Sequence, residues 1–357
     1  MLEISLILSL VALLLTILNS ITLITPRQAD QINQKISVLV PLRDEESNAV
    51  AIIETLAVQE NLSNVEFLIL DDNSTDKTYE LLRATALGDS RFKIMQGAPL
   101  ADGWLGKPWA LSQLSQSAQG DILICIDADV RLAANGVAAA ITSMQKHNLD
   151  FFSPYPSQVA RTFSERMIQP LLQWSWLSSV PLAIAKRSTN PSFAVANGQF
   201  FAVKKSALDQ SGGYASIKSE VLDDMQMARV LLRNKFKGTV GNGALIAQCH
   251  MYSSWSELRN GYAKSLWKGF GGVLGSMVAI TLLLLTGVLP LLGAASGSPL
   301  GWFAFQAILV SRIISARITR TNLFDSLLHP ISAVLLVYLI VYSWLMRGRI
   351  QWKGRTV

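Results

Sequence analysis

The chain has 357 residues, of which 50% are hydrophobic and 16% charged, and its formal net charge is +6. This composition is too apolar for an ordinary soluble protein, yet polar stretches interrupt it too often for a bundle of membrane helices alone. Much of the excess positive charge lies beside apolar runs, where basic residues meet anionic lipid headgroups, so we expect no nucleic-acid partner. Cys125 and Cys249 lie in apolar, strand-like segments and predict core thiols rather than a disulfide framework.

The chain begins with a nearly uncharged run at residues 4–25, which is long enough to cross a bilayer core of about 30 Å as a helix. A signal peptide is the alternative. However, no Lys or Arg precedes the run and no cleavage pattern follows it, which favours an uncleaved anchor over residues 1–26. Arg27, Lys35 and Arg43 follow the anchor, so the positive-inside rule places the next domain in the cytoplasm.

The C-terminal part, residues 271–357, predicts a second membrane region with two or three spans and a basic tail. Apolar runs cover residues 271–294 and 327–345. A shorter run at residues 300–314 is interrupted by Arg312, so it fits a span, a re-entrant piece or an interfacial helix. Together with the anchor, these runs predict an integral membrane protein.

Between the membrane segments, residues 34–250 alternate short apolar runs with helical patterns, which predicts a single α/β domain. The strands are expected to be buried on both faces of a mainly parallel, Rossmann-like sheet. The predicted strands are residues 36–40, 65–70, 91–95 and 122–126, followed later by 200–203. The predicted helices are residues 49–59, 75–87 with Ser74 as N-cap, one opening near Gly106, and 223–234.

Two further segments are rich in tryptophan. Residues 163–185 are broken by two prolines and predict a surface or interfacial element that holds Trp174 and Trp176 against the bilayer, with core packing as the equal alternative. Residues 251–270 predict an amphipathic, interfacial segment that precedes the C-terminal spans.

Acidic residues follow two of the predicted strands. Asp127 and Asp129 come directly after the strand at 122–126, and Asp71 and Asp72 end the strand at 65–70. Ligands of such sheets bind outside the carboxyl ends of the strands. The Asp127–Asp129 pair is suited to Mg²⁺ or Mn²⁺, which a few carboxylate oxygens hold together with phosphate and water. The alternative is that these residues have no role in binding. Asp127 and Asp129 would then simply form a turn, in which Asp is common, and Asp71 and Asp72 would lie at a helix N-terminus, which favours negative charge.

Two loops carry basic residues that can offset diphosphate charge. Arg43 lies in Pro41-Leu42-Arg43-Asp44-Glu45-Glu46 after the first strand, and Lys107 lies in Gly103-Trp104-Leu105-Gly106-Lys107-Pro108. Neither loop is a Walker loop, and no dinucleotide-binding glycine motif follows the first strand, which argues against a Rossmann dehydrogenase.

The ordered set PLRDEE, DDNSTDKT, GWLGKPWAL, DILICIDADV, NGQF and EVLDD resembles the family 2 glycosyltransferases of the GT-A fold. More narrowly, it resembles the membrane-bound bacterial members linked to carotenoid and hopanoid glycosylation, which implies a bacterial inner or plasma membrane. The resemblance covers residues 36–234. The Gln-x-x-Arg-Trp motif of processive synthases is absent, which argues against a polymerising enzyme and leaves the loop that closes over the diphosphate unassigned.

The resemblance implies a role for individual residues. Pro41, Arg43 and Glu45 would line the nucleotide pocket, with Asp72 facing the base. Lys107 and Asp127 would contact the donor, and Asp129 with Asp127 would hold the metal. The catalytic base would be Asp224, with its neighbour Asp223 beside it.

The implied reaction is an inverting transfer of a sugar, from a UDP-sugar in our expectation, to a hydroxyl of a lipidic acceptor such as a carotenoid or hopanoid. One alternative within enzymes is transfer to polyprenyl phosphate or synthesis of a polysaccharide or glycolipid. An alternative of another class is a non-catalytic membrane protein that binds nucleotide. The intact acidic set argues against the last.

Overall fold

The computed structural model describes residues 1–349, 351–353 and 355–356. Of the predicted basic tail, Ile350, Gly354 and Val357 lie outside the described residues. The strands are β1 (Ile32–Leu42), β2 (Leu62–Asp71), β3 (Phe92–Gln96), β4 (Ile122–Ile126), β5 (Val130–Leu132), β6 (Phe151–Tyr155), β7 (Ser157–Gln158), β8 (Phe200–Lys204), β9 (Gly238–Asn242), β10 (Ala247–Cys249), β11 (Gln351–Trp352) and β12 (Arg355–Thr356).

The α-helices are α1 (Leu2–Thr22), α2 (Glu46–Ala57), α3 (Thr78–Thr85), α4 (Gly106–Ser117), α5 (Gly136–Lys146), α6 (Phe163–Ser179), α7 (Leu182–Ala185), α8 (Lys205–Gln210), α9 (Asp223–Arg233), α10 (Trp255–Ala263), α11 (Leu266–Gly269), α12 (Val273–Leu283), α13 (Leu289–Ala295), α14 (Pro299–Thr319) and α15 (His329–Leu345). A π-helical turn, Leu284–Val288, joins α12 to α13. Short 3₁₀ turns occupy Pro191–Phe193, Gly213–Ile217 and Leu323–Leu328.

The described residues form two compact units. The α/β unit comprises residues Ile24–Ser157 and Ile184–Cys249, and the helical unit comprises Met1–Leu23, Gln158–Ala183 and His250–Val357.

The larger sheet of the α/β unit has the strand order β3-β2-β1-β4-β8-β6-β9. β1 pairs in parallel with both β2 and β4, and β2 pairs in parallel with β3. β8 runs antiparallel to its neighbours β4 and β6, and β9 is parallel to β6. Since most pairs are parallel, the sheet confirms the predicted mainly parallel α/β fold. β5 and β10 pair antiparallel in a second, smaller sheet.

The strands of the larger sheet form where the sequence has continuous apolar runs. All five residues of β4 are buried, as is the centre of β1 from Ile36 to Val40. Strands buried on both faces lie between layers of helices, which is why they show no alternation of apolar and polar residues. On one side, Leu39, Leu68 and Leu123 pack in a core with residues of α4 and α9.

The N-terminal helix of the helical unit is patterned the opposite way from a helix of a soluble bundle. In α1 the buried positions are Ser5, Ser9, Ala12, Thr16 and Asn19, while most of the large aliphatic side chains of this helix are exposed and none is buried. Small and polar residues between helices, with apolar residues outside, are typical of packing within a bilayer. Among the described residues, four helical stretches are long and apolar enough to cross a membrane: Leu2–Thr22, Val273–Ala295, Pro299–Thr319 and Leu323–Leu345.

Hydrogen bonds link the helices of this unit. The Thr16 and Ser311 hydroxyls lie 2.8 Å apart between α1 and α14. Near the end of α1, the Asn19 side-chain amide donates to the carbonyl oxygens of Leu177 and Val180 at 2.8 and 2.7 Å. The hydrocarbon core of a bilayer offers no hydrogen-bond partners, so polar side chains there must pair with other groups of the protein. These bonds satisfy side chains that water would satisfy in a soluble protein.

Three expectations from sequence differ from the structure. The helix expected from residue 75 begins at Thr78 and Ser74 is not its cap; instead, Asp76 Oδ1 accepts from the Thr78 amide at 2.9 Å. The short run at 300–314 is part of a 21-residue helix, α14, because Arg312 points into the unit and does not end the helix. Trp174 and Trp176 are buried rather than on the surface, so core packing is the correct alternative for α6.

Candidate active site

Most of the predicted donor-binding residues lie in loops at one edge of the larger sheet. β1, β2 and β4 are parallel and end at this edge, so the residues after them include Arg43 and Glu45, Asp72, and Asp127. β8 runs the other way and begins at the same edge, where the Asp127 amide donates to the Gln199 carbonyl oxygen at 3.2 Å. Ligands of open α/β sheets bind outside this edge.

Lys107 connects the two acidic pairs of the site. Its Nζ lies 2.6 Å from Asp127 Oδ1 and 3.9 Å from Asp223 Oδ2, and its side chain is about one-third exposed. Burial lowers the pKa of Lys107, but the charges of Asp127 and Asp223 outweigh burial and raise that pKa above its usual range. A cation in the first turn of a helix, here α4, opposes the helix dipole. The carboxylates therefore hold a fixed positive charge where the helix itself disfavours one.

Asp224 is held in place by backbone donors. Its Oδ2 accepts from the Gly198 amide at 2.6 Å, and its Oδ1 accepts from the Met225 amide at 2.7 Å. Burial, followed by repulsion from Asp223, raises the pKa of Asp224 to about 6, although Lys107 acts in the opposite direction. At neutral pH the Asp224 carboxylate is therefore mostly ionised. Its pKa is also close to the working pH, which is the condition for an efficient general base.

The environment of the Asp129 carboxylate bears on whether the site could hold a metal ion. Its Oδ1 is buried and has no hydrogen-bond partner. Burial, together with the charges of Asp127 and Glu45, raises the pKa of Asp129 to about 7. Within the part of the chain that the structure describes, no three His, Cys, Asp or Glu side chains group as metal ligands. The pair thus fits a divalent cation that takes its other ligands from phosphate and water.

The turn that carries the acidic pair is braced by Arg131. Its Nη1 donates to the carbonyl oxygens of Ala128 and Val130 at 2.8 and 2.9 Å, and its Nη2 donates to Asn48 Oδ1 at 2.7 Å. Asn48 in turn donates to Glu45 Oε2 at 2.7 Å. Glu45, expected to line the nucleotide pocket, is therefore linked through Asn48 and Arg131 to the turn that carries Asp127 and Asp129.

Arg43 and Asp72 lie side by side. Arg43 Nη1 donates to the carbonyl oxygens of Asp72 and Asn73 at 2.6 and 3.2 Å, so its guanidinium holds the loop after β2. Asp72 is only 3% exposed. Pro41 lies on β1 opposite Leu70 of β2, one position before the strand ends. The structure thus brings the predicted nucleotide-side residues together at the ends of two adjacent strands.

Two residues of the site were not predicted from sequence. The Cys249 thiol hydrogen-bonds the Asp129 carboxylate, because β10 lies antiparallel to β5 and places Cys249 opposite Val130. No motif signals this contact. Arg131 offered only one signal, its position two residues after Asp129.

The family comparison matches this region. The model of the family described as "Glycosyl transferase family 2" matches residues 37–212. With the curated relatives described next, this match supports a family 2 glycosyltransferase. The matched region contains the predicted donor and metal residues and ends before the Asp223–Asp224 pair.

Two kinds of curated relative align with this chain. A β-monoglucosyldiacylglycerol synthase from Nostoc sp. is 27% identical over 250 residues, which cover 65% of this chain and 50% of that protein. The chain thus spans about half the length of that relative. A 4,4'-diaponeurosporenoate glycosyltransferase from Staphylococcus haemolyticus is 23% identical over 351 residues, covering 92% of this chain and 90% of that protein.

Among solved structures, a mannosyltransferase from Pyrobaculum calidifontis, in complex with GDP-Man and Mn²⁺, has a TM-score of 0.56 at 16% identity. The match covers 99% of this chain and 100% of that chain. At this identity the likeness concerns the fold alone. Together the comparisons support the predicted resemblance to family 2 and the GT-A fold type.

Proposed function

We propose that this protein is an inverting glycosyltransferase. It would move a sugar from a nucleotide-sugar, a UDP-sugar in our expectation, to a hydroxyl of a lipidic acceptor such as a carotenoid or hopanoid. The observation that carries the proposal is the position of Lys107, with Asp127 on one side and Asp223, the neighbour of Asp224, on the other. That arrangement places groups for the donor phosphates beside a candidate base.

The donor side of the site is suited to a nucleoside diphosphate. When bound by Asp127 and Asp129, Mg²⁺ or Mn²⁺ would offset the charge that develops on the departing diphosphate. Lys107 would add a fixed cation at the same place, so that little reorganisation is needed as the bond breaks. The Mn²⁺ and GDP-Man of the Pyrobaculum mannosyltransferase support this assignment. Arg43, Glu45 and Asp72 would surround the nucleoside.

The acceptor side requires a base. Asp224 would take the proton of the acceptor hydroxyl as the hydroxyl oxygen bonds to the anomeric carbon. The bond from that carbon to the diphosphate oxygen breaks on the opposite face, and the anomeric configuration is inverted. The two backbone amides that hold Asp224 would fix the direction of its free lone pairs. The charge of Asp223 would keep the pKa of Asp224 high enough for Asp224 to accept a proton.

A lipidic acceptor is supported by two observations. The relatives are named for diacylglycerol and for diaponeurosporenoate. The chain itself carries four helices long and apolar enough to cross a membrane among its described residues. A membrane-held enzyme meets a lipid acceptor at high local concentration, whereas a soluble acceptor gains nothing from the anchor.

The test uses the full chain purified in detergent. We expect UDP to bind measurably by calorimetry with Mn²⁺ or Mg²⁺ and much more weakly with EDTA. Radiolabelled UDP-sugars incubated with extracted membrane lipids should then transfer label to the organic phase. A control with Asp127→Ala and Asp129→Ala together should lose both signals. Metal-independent nucleotide binding would overturn the donor site, and label found only in water-soluble products would overturn the lipid acceptor.

A further inference from the structure

Arg312 lies in the interior of the helical unit, on α14, and is only 2% exposed. Its Nη1 donates to the Pro170 carbonyl oxygen of α6 at 2.8 Å, while its buried Nε has no hydrogen-bond partner. A guanidinium presents five N–H donors and stays charged in proteins. One carbonyl oxygen therefore satisfies only part of what Arg312 offers.

The nearby carboxylate does not neutralise Arg312. Asp325 is buried, but Arg166 holds it in a bidentate pair, with Nε 3.1 Å from each carboxylate oxygen and Nη2 2.5 Å from Oδ1. One carboxylate balances one guanidinium, so Arg312 adds a net positive charge to an apolar interior. A buried charge without a partner is strongly destabilising, and an anion beside it would remove that cost.

Two more polar side chains near Arg312 are buried without partners. Among the residues that the structure describes, neither ring nitrogen of His329 has a hydrogen-bond partner, and neither amide atom of Gln169 has one, although both residues are at most 2% exposed. The Trp174 ring lies near both His329 and Arg312, 5.1 Å from the His329 ring and 5.9 Å from the Arg312 Cζ. Gln169 directly precedes Pro170, the acceptor of the Arg312 bond. Buried polar groups without partners are rare in native proteins and point to a water or ligand.

The backbone beside His329 is also unusual. The π-helical turn Leu284–Val288 contains Gly287, where an added Cβ would lie 2.5 Å from the Ala333 Cβ and 3.5 Å from His329 Nε2. Single π-helical turns occur frequently at functional sites. Here the glycine allows the helix that carries His329 to approach closely.

We propose that Arg312, His329 and Gln169 form a site inside the helical unit for the oxyanion of an anionic lipid, a carboxylate or a phosphate. Arg312 supplies the charge, the imidazole and the amide each supply a neutral donor, and the apolar surroundings accept the lipid tail. An ionisable residue inside a membrane-spanning segment is a functional-site candidate by default. The site is separate from the proposed transfer chemistry. Its anion has two possible sources, an acidic lipid substrate or a membrane phospholipid.

Native mass spectrometry of the full chain, delipidated in non-ionic detergent, distinguishes the sources. One arm offers oleic acid against oleyl alcohol, and the other offers dioleoylphosphatidic acid against dioleoylglycerol. We expect one anion to be retained about 10- to 100-fold more strongly than its neutral counterpart, the range of a charge-assisted hydrogen bond. Stronger retention of oleic acid than of oleyl alcohol identifies the ligand as a carboxylic acid. Stronger retention of dioleoylphosphatidic acid than of dioleoylglycerol identifies it as a phospholipid. Equal retention of acid and neutral lipid in both arms overturns the proposal, because water alone then fills the site.

Variants locate the binding. Arg312→Gln should abolish the preference for the anion, while Arg317→Gln, an exposed arginine on the same helix, should leave it unchanged. Without lipid, Arg312→Gln should melt at or above the wild-type temperature, and added anionic lipid should raise only the wild-type melting temperature. Retained selectivity in Arg312→Gln contradicts the site. If that variant does not fold, Gln169→Leu should lower anion retention several-fold, and unchanged retention there is equally contradictory.

Discussion

At the scale of single residues, the proposed mechanism assigns different tasks to Asp129 and Asp224. Asp129→Asn should weaken both metal-dependent nucleotide binding and turnover, because Asp129 would help to hold the cation that offsets the charge of the diphosphate. Asp224→Asn should leave nucleotide binding almost unchanged and lower turnover by about 10²–10⁴-fold, as expected for a general base. Calorimetric titration of UDP with Mn²⁺ and measured transfer rates separate the two effects.

The alternative for Asp224 is that it only begins α9, where Asn would serve nearly as well. Near-normal turnover in Asp224→Asn would remove it from the mechanism. Asp223 and then Glu220 would become the candidates for the base.

The charge of Asp223 also predicts a shift in pH dependence. Asp224, with a pKa of about 6, accepts a proton as pH falls through that value, so turnover should be full above it and lost below it. Burial and the negative charge of Asp223 both raise the pKa of Asp224. Asp223→Asn removes that charge, so the acid limb of the pH profile should move to lower pH. Turnover is measured against pH with saturating donor and Mn²⁺. An acid limb that stays in place, or moves upward, would contradict the coupling.

At the scale of elements, the loop before β8 positions the base. Gly198 donates its amide to Asp224, and a Cβ at this position would lie 3.0 Å from Lys107 Nζ and 3.4 Å from the Asp224 Cβ. Gly198→Ala should therefore move the Lys107 Nζ by a few tenths of an ångström, while Asp224 keeps an ordinary van der Waals contact. Turnover should fall by less than the roughly 100-fold that a misplacement of about 1 Å costs. The melting temperature and the circular dichroism spectrum serve as controls for folding. Unchanged turnover with an unchanged fold would show that the loop tolerates the methyl group.

At the scale of the whole molecule, the side of the membrane is the open prediction. The positive-inside rule places residues 34–250 in the cytoplasm. A reporter inserted at Asn148, an exposed turn residue, should therefore report a cytoplasmic position. An external signal there would contradict the use of a cytoplasmic nucleotide-sugar and with it the proposed reaction.

A second reporter at the C-terminus counts the spans. Val357 itself lies outside the described residues. If the three C-terminal stretches that are long enough to span all do so, the C-terminus lies outside with the N-terminus, and the basic tail breaks the positive-inside rule. If Pro299–Thr319 does not span, the tail lies inside. The reporter at the C-terminus therefore distinguishes three spans from two.

The sequence alone determined the features that depend on local pattern. Continuous apolar runs marked β1, β2 and β4, because a strand buried on both faces must be apolar throughout. Length and lack of charge marked the membrane-type helices at 4–25, 271–294 and 327–345 but left the run at 300–314 open, and the order of the short motifs indicated the family. Each run and each motif is a local stretch of chain, and the order of the motifs is read along the sequence, so no knowledge of packing is needed to see them.

Only the tertiary structure decided which distant residues meet. Lys107 reaches Asp223 because the chain after β8 returns to the edge where β8 begins, as the bond from the Gly198 amide to Asp224 shows. Cys249 reaches Asp129 because β10 pairs with β5. Trp174 looks like an interfacial tryptophan in sequence but is buried, since its indole N–H donates to Ser311 at 2.7 Å across 137 positions of chain. Whether a polar or aromatic side chain is exposed depends on partners that folding supplies, and a local pattern carries no information about partners so far along the chain.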